Sequence, residues 1–258
     1  MKNVKQKDHE IIDLDYQPTS FYTLPNDTLA VAVYETKDFN MKKYLQIYDK
    51  EFKLVKKIEK INNETFSPRF LTSNGKDSIF ITDVLDNQII KTDLDFNFVK
   101  QFGSTGSTNH QLDCPNGISF HKNFIFVCDT NNHRIQKLTE DLVFEESYPL
   151  KLKPFNIQIV NNIACIEPTL GSVRLFNLDP FLCIRKIFSF AAPIAVFNSW
   201  FFIYTNESKS IQCYNLNGDL VEKKDMEIDE NILENYPMVY FNKHLIIGTR
   251  ETKKLIIF

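Results

Sequence analysis

Glycine is scarce in this chain, with seven residues among 258. Loops that cradle phosphates depend on closely spaced glycines, which let the backbone approach the ligand. The chain contains neither a P-loop nor a dinucleotide fingerprint, and it has no G-x-S-x-G sequence. The nucleotide-binding and hydrolase motifs that can be recognised by spacing alone are therefore excluded.

Cysteine is also sparse, and the spacing of the five residues does not indicate a metal site. The five cysteines are odd in number and contain no C-x-x-C pair. No apolar segment typical of a secretory signal follows the first residue, because the stretch from Met1 to Glu10 is polar and charged. This pattern favours reduced, mostly buried thiols over disulfides or a zinc site.

No excess of basic residues and no long apolar run is present. The 30 lysines and arginines face 33 acidic residues, so the formal net charge is −3, which disfavours nucleic acid as the default partner. Apolar runs such as Ile194 to Phe197 are far shorter than a membrane-spanning helix. We therefore predict a cytoplasmic protein without membrane insertion.

What the chain does contain is a repeat led by proline. Each of six prolines precedes a short apolar run, and the steps between them are 39 to 50 residues. Further apolar runs follow in each unit, separated by turns rich in Asp and Asn, and they alternate with the period of a strand. The repeat units begin near residues 18, 68, 115, 154, 193 and 237.

Four strands per unit at this period are typical of a β-propeller blade. The sequence therefore predicts an all-β, six-bladed β-propeller of four-stranded antiparallel blades, formed by a single domain over residues 1–258. The last unit provides only three strands before the chain ends. Because an unpaired apolar edge promotes aggregation, we expect residues 9–16 to complete the last blade and to close the ring. The one stretch with a helical pattern is Asp229 to Asn235.

The third unit resembles an NHL repeat. Gln111-Leu112, Pro115, Gly117-Ile118, Asp129-Thr130 and Asn132-His133-Arg134-Ile135-Gln136 follow the order and spacing of that family's pattern. The resemblance covers residues 102–138 well, the second unit less well and the other units weakly. It implies a six-bladed propeller, in agreement with the count of repeat units.

The polar stretch from Asp129 to Arg134 is then the turn between two strands. We expect Asp129 and Thr130 to bond to backbone groups of this turn, and Asn131 and Asn132 to tolerate its left-handed conformation. The turn also lies on a rim of the propeller, so a role in binding stays open.

An enzyme is the third alternative, as a metal-dependent lyase or a lactonase-like propeller. The histidines outside this turn, at positions 9, 110, 121 and 244, lack the spacing that places two imidazoles on one metal. Asp83, Asp129 and Glu167 recur at equivalent points, where they serve either as turn caps or as cation ligands. No catalytic residue, metal or cofactor is predicted, and a small-molecule substrate is not expected.

Two binding functions remain. Tripartite-motif NHL proteins read single-stranded RNA on one rim, which requires basic side chains with aromatics or amides. The 23 Phe and 10 Tyr instead favour an apolar surface for a protein partner, although packing between blades also consumes aromatics. We favour a non-catalytic scaffold that binds a protein, with RNA as the alternative. The predicted partner-binding rim comprises Arg69, Asn116, Asn132, His133, Phe155, Lys209, Arg250 and Lys253.

Overall fold

The fold is built almost entirely of short strands. A computed structural model describes residues 10–14, 16–37, 40–187, 194–205, 208, 210–225, 238–249 and 254–257. Its strands are β1 Glu10–Asp13, β2 Gln17–Thr23, β3 Leu29–Lys37, β4 Asn40–Tyr48, β5 Leu54–Ile58, β6 Lys60–Ile61, β7 Glu64–Thr65, β8 Pro68–Ser73, β9 Ile79–Asp83, β10 Gln88–Thr92, β11 Phe98–Phe102, β12 Pro115–His121, β13 Phe124–Asp129, β14 Arg134–Thr139, β15 Phe144–Pro149, β16 Pro154–Val160, β17 Ile163–Pro168, β18 Arg174–Leu178, β19 Phe181–Lys186, β20 Ile194–Phe197, β21 Trp200–Thr205, β22 Ser210–Tyr214, β23 Leu220–Asp225, β24 Met238–Phe241, β25 His244–Thr249 and β26 Lys254–Ile257.

These strands form six four-stranded antiparallel sheets and one two-stranded sheet within the described ranges. Five of the large sheets are simple meanders, such as β8 to β11. Pro68, Pro115 and Pro154 are the first residues of inner strands, as the repeat predicts. A β-propeller built from four-stranded antiparallel blades is thus confirmed. The predicted helical stretch from Asp229 to Asn235 lies outside the described residues.

The remaining large sheet joins the two ends of the chain. Its strand order is β1-β26-β25-β24, and β1 pairs with β26 from Glu10 opposite Ile257 to Asp13 opposite Lys254. Each inner strand contacts the inner strands of two neighbouring sheets, in the cyclic order β2, β8, β12, β16, β20, β24 and back to β2. The N-terminal segment is therefore the outer strand of the last sheet, as expected from its position before the first repeat unit.

Apolar side chains pack between adjacent sheets because both faces of each sheet are covered. In β9, Ile79 and Ile81 join one buried cluster, while Phe80 between them joins the cluster on the opposite face. In the apolar stretch around β21, Phe201 and Tyr204 likewise enter different clusters. This two-sided burial explains why the second strands are continuously apolar.

Two features of the first repeat unit were not predicted. Strands β3 and β4 are nine residues each, whereas the second and third strands of the other sheets have four to six. The connection from β5 to β8 carries an extra hairpin, β6–β7, whose turn residues Asn62 and Asn63 have φ of 53° and 63°. Asparagine tolerates this left-handed conformation, which a two-residue hairpin turn requires. These insertions account for the longest step between the repeats.

The buried carboxylate of Asp129 organises the turn between β13 and β14. It accepts hydrogen bonds from the Asp113 backbone amide at 2.8 Å, Asn132 Nδ2 at 2.9 Å, Arg134 Nε at 2.7 Å and Gln136 Nε2 at 3.0 Å. Asp129 thus holds the turn through the side chains of Asn132, Arg134 and Gln136 and through the Asp113 amide before β12, rather than through the predicted bonds to backbone groups of the turn, and its charge is compensated by Arg134. The left-handed residue of the turn is His133, not Asn131 or Asn132 as predicted.

Among the described residues, no helix is long and apolar enough to cross a membrane.

Replacing Leu14 with alanine should lower the free energy of unfolding by about 2 to 5 kcal/mol. Leu14 is 8% exposed and packs in one cluster with Phe21, Phe241, Ile246 and Ile257, so it links the two chain ends. The single tryptophan, Trp200, reports unfolding by fluorescence in urea. As a matched control, Leu220→Ala removes a side chain that is 52% exposed and should change stability by less than about 0.5 kcal/mol. Equal effects of the two variants would contradict the predicted closure by the N-terminal segment.

Asp129→Ala should destabilise the protein by about 3 to 5 kcal/mol, because it leaves a buried cation and several donors without an acceptor. The same urea titration measures this loss. Asp95→Ala, at an exposed turn position, should stay within about 0.5 kcal/mol of the parent protein. A similarly small loss for Asp129→Ala would show that this network does not hold the turn.

Iodoacetamide should alkylate Cys183 first in the native protein. All five cysteines are unbridged; Cys183 is exposed, whereas Cys128 and Cys165 are buried. Burial, with the Glu167 carboxylate nearby, raises the pKa of both of these thiols well above the ordinary value, so little thiolate forms. Peptide mass spectrometry should find Cys128 and Cys165 modified only after unfolding. Modification of either at the rate of Cys183 would be inconsistent with the fold.

Candidate functional site

The rim residues predicted from the sequence do not form one surface. Lys209, Arg250 and Lys253 lie outside the described residues. Asn116 is buried, and its Nδ2 donates to the Cys114 carbonyl at 3.0 Å and to Thr130 Oγ1 at 2.8 Å. The Thr130 hydroxyl in turn donates to the carbonyl of Pro154 in the next sheet. Thr130 therefore joins two sheets, and Asn116 donates to it from within its own sheet; the burial of Asn116 corrects its prediction as a contact residue.

Asn132 and His133 differ in their accessibility. The Asn132 amide is held by the Gly106 carbonyl at 2.8 Å and by the Asp129 carboxylate, so its donors serve the turn. His133 has a φ of 54° and an exposed side chain. Its backbone carbonyl accepts from the Leu150 amide at 2.7 Å. Of this pair, only His133 presents its side chain to solvent.

Arg69 and Phe155 come together near the propeller axis. The Arg69 guanidinium carbon lies 5.2 Å from the centre of the Phe155 ring, which also packs edge-on against Phe70. Phe155 is buried, so its prediction as a contact residue is also corrected. The close approach of β12 and β16 depends on Gly117, because a Cβ there would lie 2.6 Å from Asn156 Cα. These side chains fill the axis and leave a cavity of about 20 Å³, the scale of a single water.

Among the recurring carboxylates, Asp83 serves as a turn cap. Asp83 accepts hydrogen bonds from the backbone amides of Ser67 at 2.9 Å and Leu85 at 3.0 Å, as well as from Gln88. Within the described ranges, no group of three or more His, Cys, Asp or Glu side chains is placed to hold a metal ion. These contacts favour the capping interpretation over a cation site.

His110 and His121 also lie apart from each other. The His110 ring lies between Phe102 and Phe144, with ring centres 6.4 and 6.0 Å away. His121 is the last residue of β12 and lies on the rim opposite to that of His110. Burial and the neighbouring Lys122 lower the pKa of His121 there. The two imidazoles therefore belong to different environments on different rims.

A cavity of about 620 Å³ also lies on that opposite rim, between the third and fourth repeat units. Its lining includes Lys122 and Lys137 together with Glu146 and Asp179, so charges of both signs are present. The Lys137 ammonium lies 4.1 Å from the centre of the Phe124 ring, and the Tyr148 hydroxyl donates to Glu146 at 2.7 Å. Its lining thus carries two lysines and two carboxylates, with no excess of either sign.

A second cavity, of about 410 Å³, lies on the rim formed by the turns between second and third strands. This hairpin cleft separates the long β3–β4 hairpin from the short β6–β7 hairpin. Its volume falls within the range of ligand-binding clefts. It is lined by Met41, Lys42, Lys43, Tyr44, Glu59, Lys60, Thr65, Phe66, Ser67 and Leu85.

Two exposed apolar side chains line the hairpin cleft. Met41 is 68% exposed and Leu85 is 61% exposed, whereas the aromatic rings of Tyr44 and Phe66 are buried. The Tyr34 hydroxyl donates to Met41 Sδ at 2.7 Å, which fixes this flexible side chain on the long hairpin. Exposed apolar groups that face each other across a concave surface are typical of a binding site.

Positive charge surrounds this apolar lining. Lys42, Lys43 and Lys60 line the cleft and form no ion pair with another described residue. Glu59, the only carboxylate in the lining, is paired with Lys57 at 2.9 Å. Partial burial, with the Arg69 guanidinium nearby, lowers the pKa of Lys43. The cleft is thus a basic patch on a chain whose net charge is negative.

Other exposed apolar residues lie on the fourth strands. Leu54, Val55, Leu220 and Val221 are about half exposed and stand beside lysines of the same edge strands. Lysines on an edge strand oppose pairing with other chains. The exposed apolar residues of the fourth strands are thus part of protected edge strands, and we assign no partner to them.

The sequence indicated only part of the hairpin cleft. The longest step between the repeats marked the first unit as irregular, and this was the available signal for Met41 and Lys60. Leu85 follows a fully buried strand, and the alternation of apolar and polar residues gave no sign that Leu85 itself is exposed.

Residues 112–138 match the sequence model of the NHL repeat. No curated protein matches the chain. Among solved structures, a streptogramin B lyase superimposes with a TM-score of 0.64 at 14% identity, and the alignment covers 97% of each chain. The WD40 domain of Neurospora crassa Pan2 has a TM-score of 0.64 at 8% identity, covering 91% of this chain and 73% of that one.

At these identities the structural matches establish the fold alone, whereas the NHL match confirms the resemblance noted in the third unit. The chain is a β-propeller of four-stranded antiparallel blades that carries an NHL repeat at residues 112–138.

Proposed function

We propose that this chain is a non-catalytic scaffold that binds a protein partner through the rim bearing the hairpin cleft. In this proposal the six sheets are the six blades of a single domain over residues 1–258, which acts in the cytoplasm. The observation that carries it is that two strongly exposed apolar side chains, Met41 and Leu85, line the same concave surface. Burial of such groups is the main driving force for protein association.

RNA fits this rim less well. Readers of single-stranded RNA stack unpaired bases on accessible aromatic rings. In the hairpin cleft the two rings, Tyr44 and Phe66, are buried, and the accessible surface is aliphatic. The lysines could meet phosphates, but the cleft offers no platform for the bases.

A lyase or lactonase-like activity has no comparable support. The acidic side chain of Asp83 is engaged by backbone amides of its own turn, and the axis is filled by Phe70 and Phe155. The similarity to a streptogramin B lyase concerns the fold, which serves unrelated activities.

Five of the residues predicted from the sequence remain part of the proposed rim. Arg69 is electrostatically coupled to Lys43 of the hairpin cleft. Lys209, Arg250 and Lys253 are retained on their position in the repeat alone. His133, with its exposed side chain, extends the same rim at the third sheet.

Affinity capture from native cell extract, with and without ribonuclease, tests this function. We expect the double variant Met41→Ser, Leu85→Ser to lose specific protein partners by at least about tenfold, because the apolar contacts are gone. Quantitative mass spectrometry measures the loss. The matched control Leu220→Ser, Val221→Ser changes two residues of an edge strand that are about half exposed and should retain these partners.

Two results would contradict the proposal. Loss of all partners on ribonuclease treatment would favour RNA. Retention of every partner by the Met41→Ser, Leu85→Ser variant would show that the hairpin cleft is not the protein-binding surface.

A further inference from the structure

Three lysines around the hairpin cleft lack carboxylate partners, although the chain as a whole carries more acidic than basic residues. The Glu59 carboxylate is already bonded to Lys57, and this contact lowers the pKa of Glu59. Lys42 lies opposite Glu35 in the strand pairing, and Lys42 and Lys60 are near enough to Glu59 to lower its pKa further. None of Lys42, Lys43 and Lys60 forms an ion pair with a described residue, so each can still bind a carboxylate of another molecule.

The β6–β7 hairpin separates the two signs of charge. Lys60 pairs with Thr65, and Ile61 pairs with Glu64. Cross-strand partners share a face and successive residues alternate, so Lys60 and Glu64 project from opposite faces of this hairpin. In agreement, Lys60 and Thr65 line the cleft, whereas Glu64 is absent from its lining.

The neighbouring acidic residues lie on that other side. Glu64 lines a small separate cavity together with Asp83. Burial, with Asp83 and Glu64 nearby, raises the pKa of Asp86. Neither Glu64 nor Asp86 contributes to the cleft. Negative charge is concentrated behind the hairpin and positive charge in front of it.

Lys43 shows where a carboxylate would be most favourable. This ammonium is partly buried and close to a second cation, Arg69, and both conditions disfavour its charge. The buried Asp83 carboxylate opposes them, but it is already engaged by two backbone amides and Gln88. A carboxylate bound beside Lys43 would offset these unfavourable effects.

The apolar lining adds a second requirement. Met41 and Leu85 present accessible aliphatic surface between the lysines, and a purely polar anion would leave this surface exposed to water. The complementary shape is an aliphatic side chain flanked by acidic residues.

We propose that the hairpin cleft binds an acidic segment of a partner protein, with one aliphatic side chain between Met41 and Leu85 and carboxylates at Lys42, Lys43 and Lys60. This assignment rests on the proposed function of this rim as a protein-binding surface. Charge complementarity of this kind accelerates association and discriminates between partners.

Fluorescence polarisation with the purified full chain and three labelled peptide pools tests the assignment. Each pool has Leu, Ile or Met at the centre, and its flanks are Asp and Glu, Ser and Asn, or Lys and Arg. We expect the acidic pool to bind at least about tenfold more tightly than the neutral pool, and the basic pool to bind weakest. Raising the salt from about 0.05 M to about 0.5 M should weaken the acidic pool, because these charges are near the surface.

Charge reversal locates the bound peptide. The triple variant Lys42→Glu, Lys43→Glu, Lys60→Glu should lose at least about tenfold in affinity for the acidic pool. The matched control Lys76→Glu, Lys122→Glu, Lys243→Glu changes the same total charge at exposed turns of the opposite rim and should bind as the parent does. Met41→Ser, Leu85→Ser keeps every charge and should also lose affinity, which distinguishes an anchored segment from diffuse attraction. Thermal melts verify that each variant is folded.

Equal binding of the neutral pool, or equal losses in the two triple variants, would overturn the proposed occupant. Tighter binding of a single-stranded oligouridylate than of the acidic pool would assign the cleft to RNA instead. If the acidic pool fails while the cleft triple variant still loses captured proteins, the scaffold function stands and only the acidic chemistry is wrong. If that variant also retains every captured protein, both proposals fail.

Discussion

Apolar packing between neighbouring sheets is the constraint on which this structure depends. A strand directs successive side chains to opposite faces, so a sheet placed between two others must bury both faces. Ile79, Phe80 and Ile81 show the consequence, because consecutive residues of one strand enter two different clusters. A chain built this way is stable only when its first and last sheets also meet. The pairing of β1 with β26 and the shared cluster around Leu14 provide that closure.

Hydrogen bonds in the polar turns add to the stabilisation that apolar packing provides. Asp83 and Asp129 accept hydrogen bonds from turn amides, and the Thr130 hydroxyl links its sheet to the next through Pro154. A conspicuous polar motif can therefore be structural throughout. The candidate site instead lies where the repeat is irregular, between the long β3–β4 hairpin and the β6–β7 hairpin. Ile61 and the adjacent Phe66 anchor the short hairpin in the cluster of Ile79 and Ile81, and the residues that face the cleft stand on this rigid base.

The hairpin cleft combines exposed apolar side chains, lysines and a concave shape. The outer edge strands also place exposed aliphatic residues beside lysines, and the cavity on the opposite rim is lined by two lysines and two carboxylates. The cleft places the accessible side chains of Met41 and Leu85 with three lysines that form no ion pair with a described residue. A partner that matches both the apolar side chains and the lysines is more narrowly specified than a partner that matches only one of them.

The sequence by itself determined the strands, the four-stranded unit and the closure by the N-terminal segment. These follow from side-chain alternation and turn chemistry, which act over a few residues and are visible in the order of amino acids. It also indicated that Asp129 has a structural role in its turn, although one of its donors, the Asp113 amide, is brought to it by the fold. Tertiary structure alone decided that Asn116 and Phe155 are buried, that Arg69 lies against Phe155, and that Met41 and Leu85 face one cleft. Those outcomes depend on the spacing between sheets and on hairpins that project from different repeat units, neither of which is encoded in a local pattern.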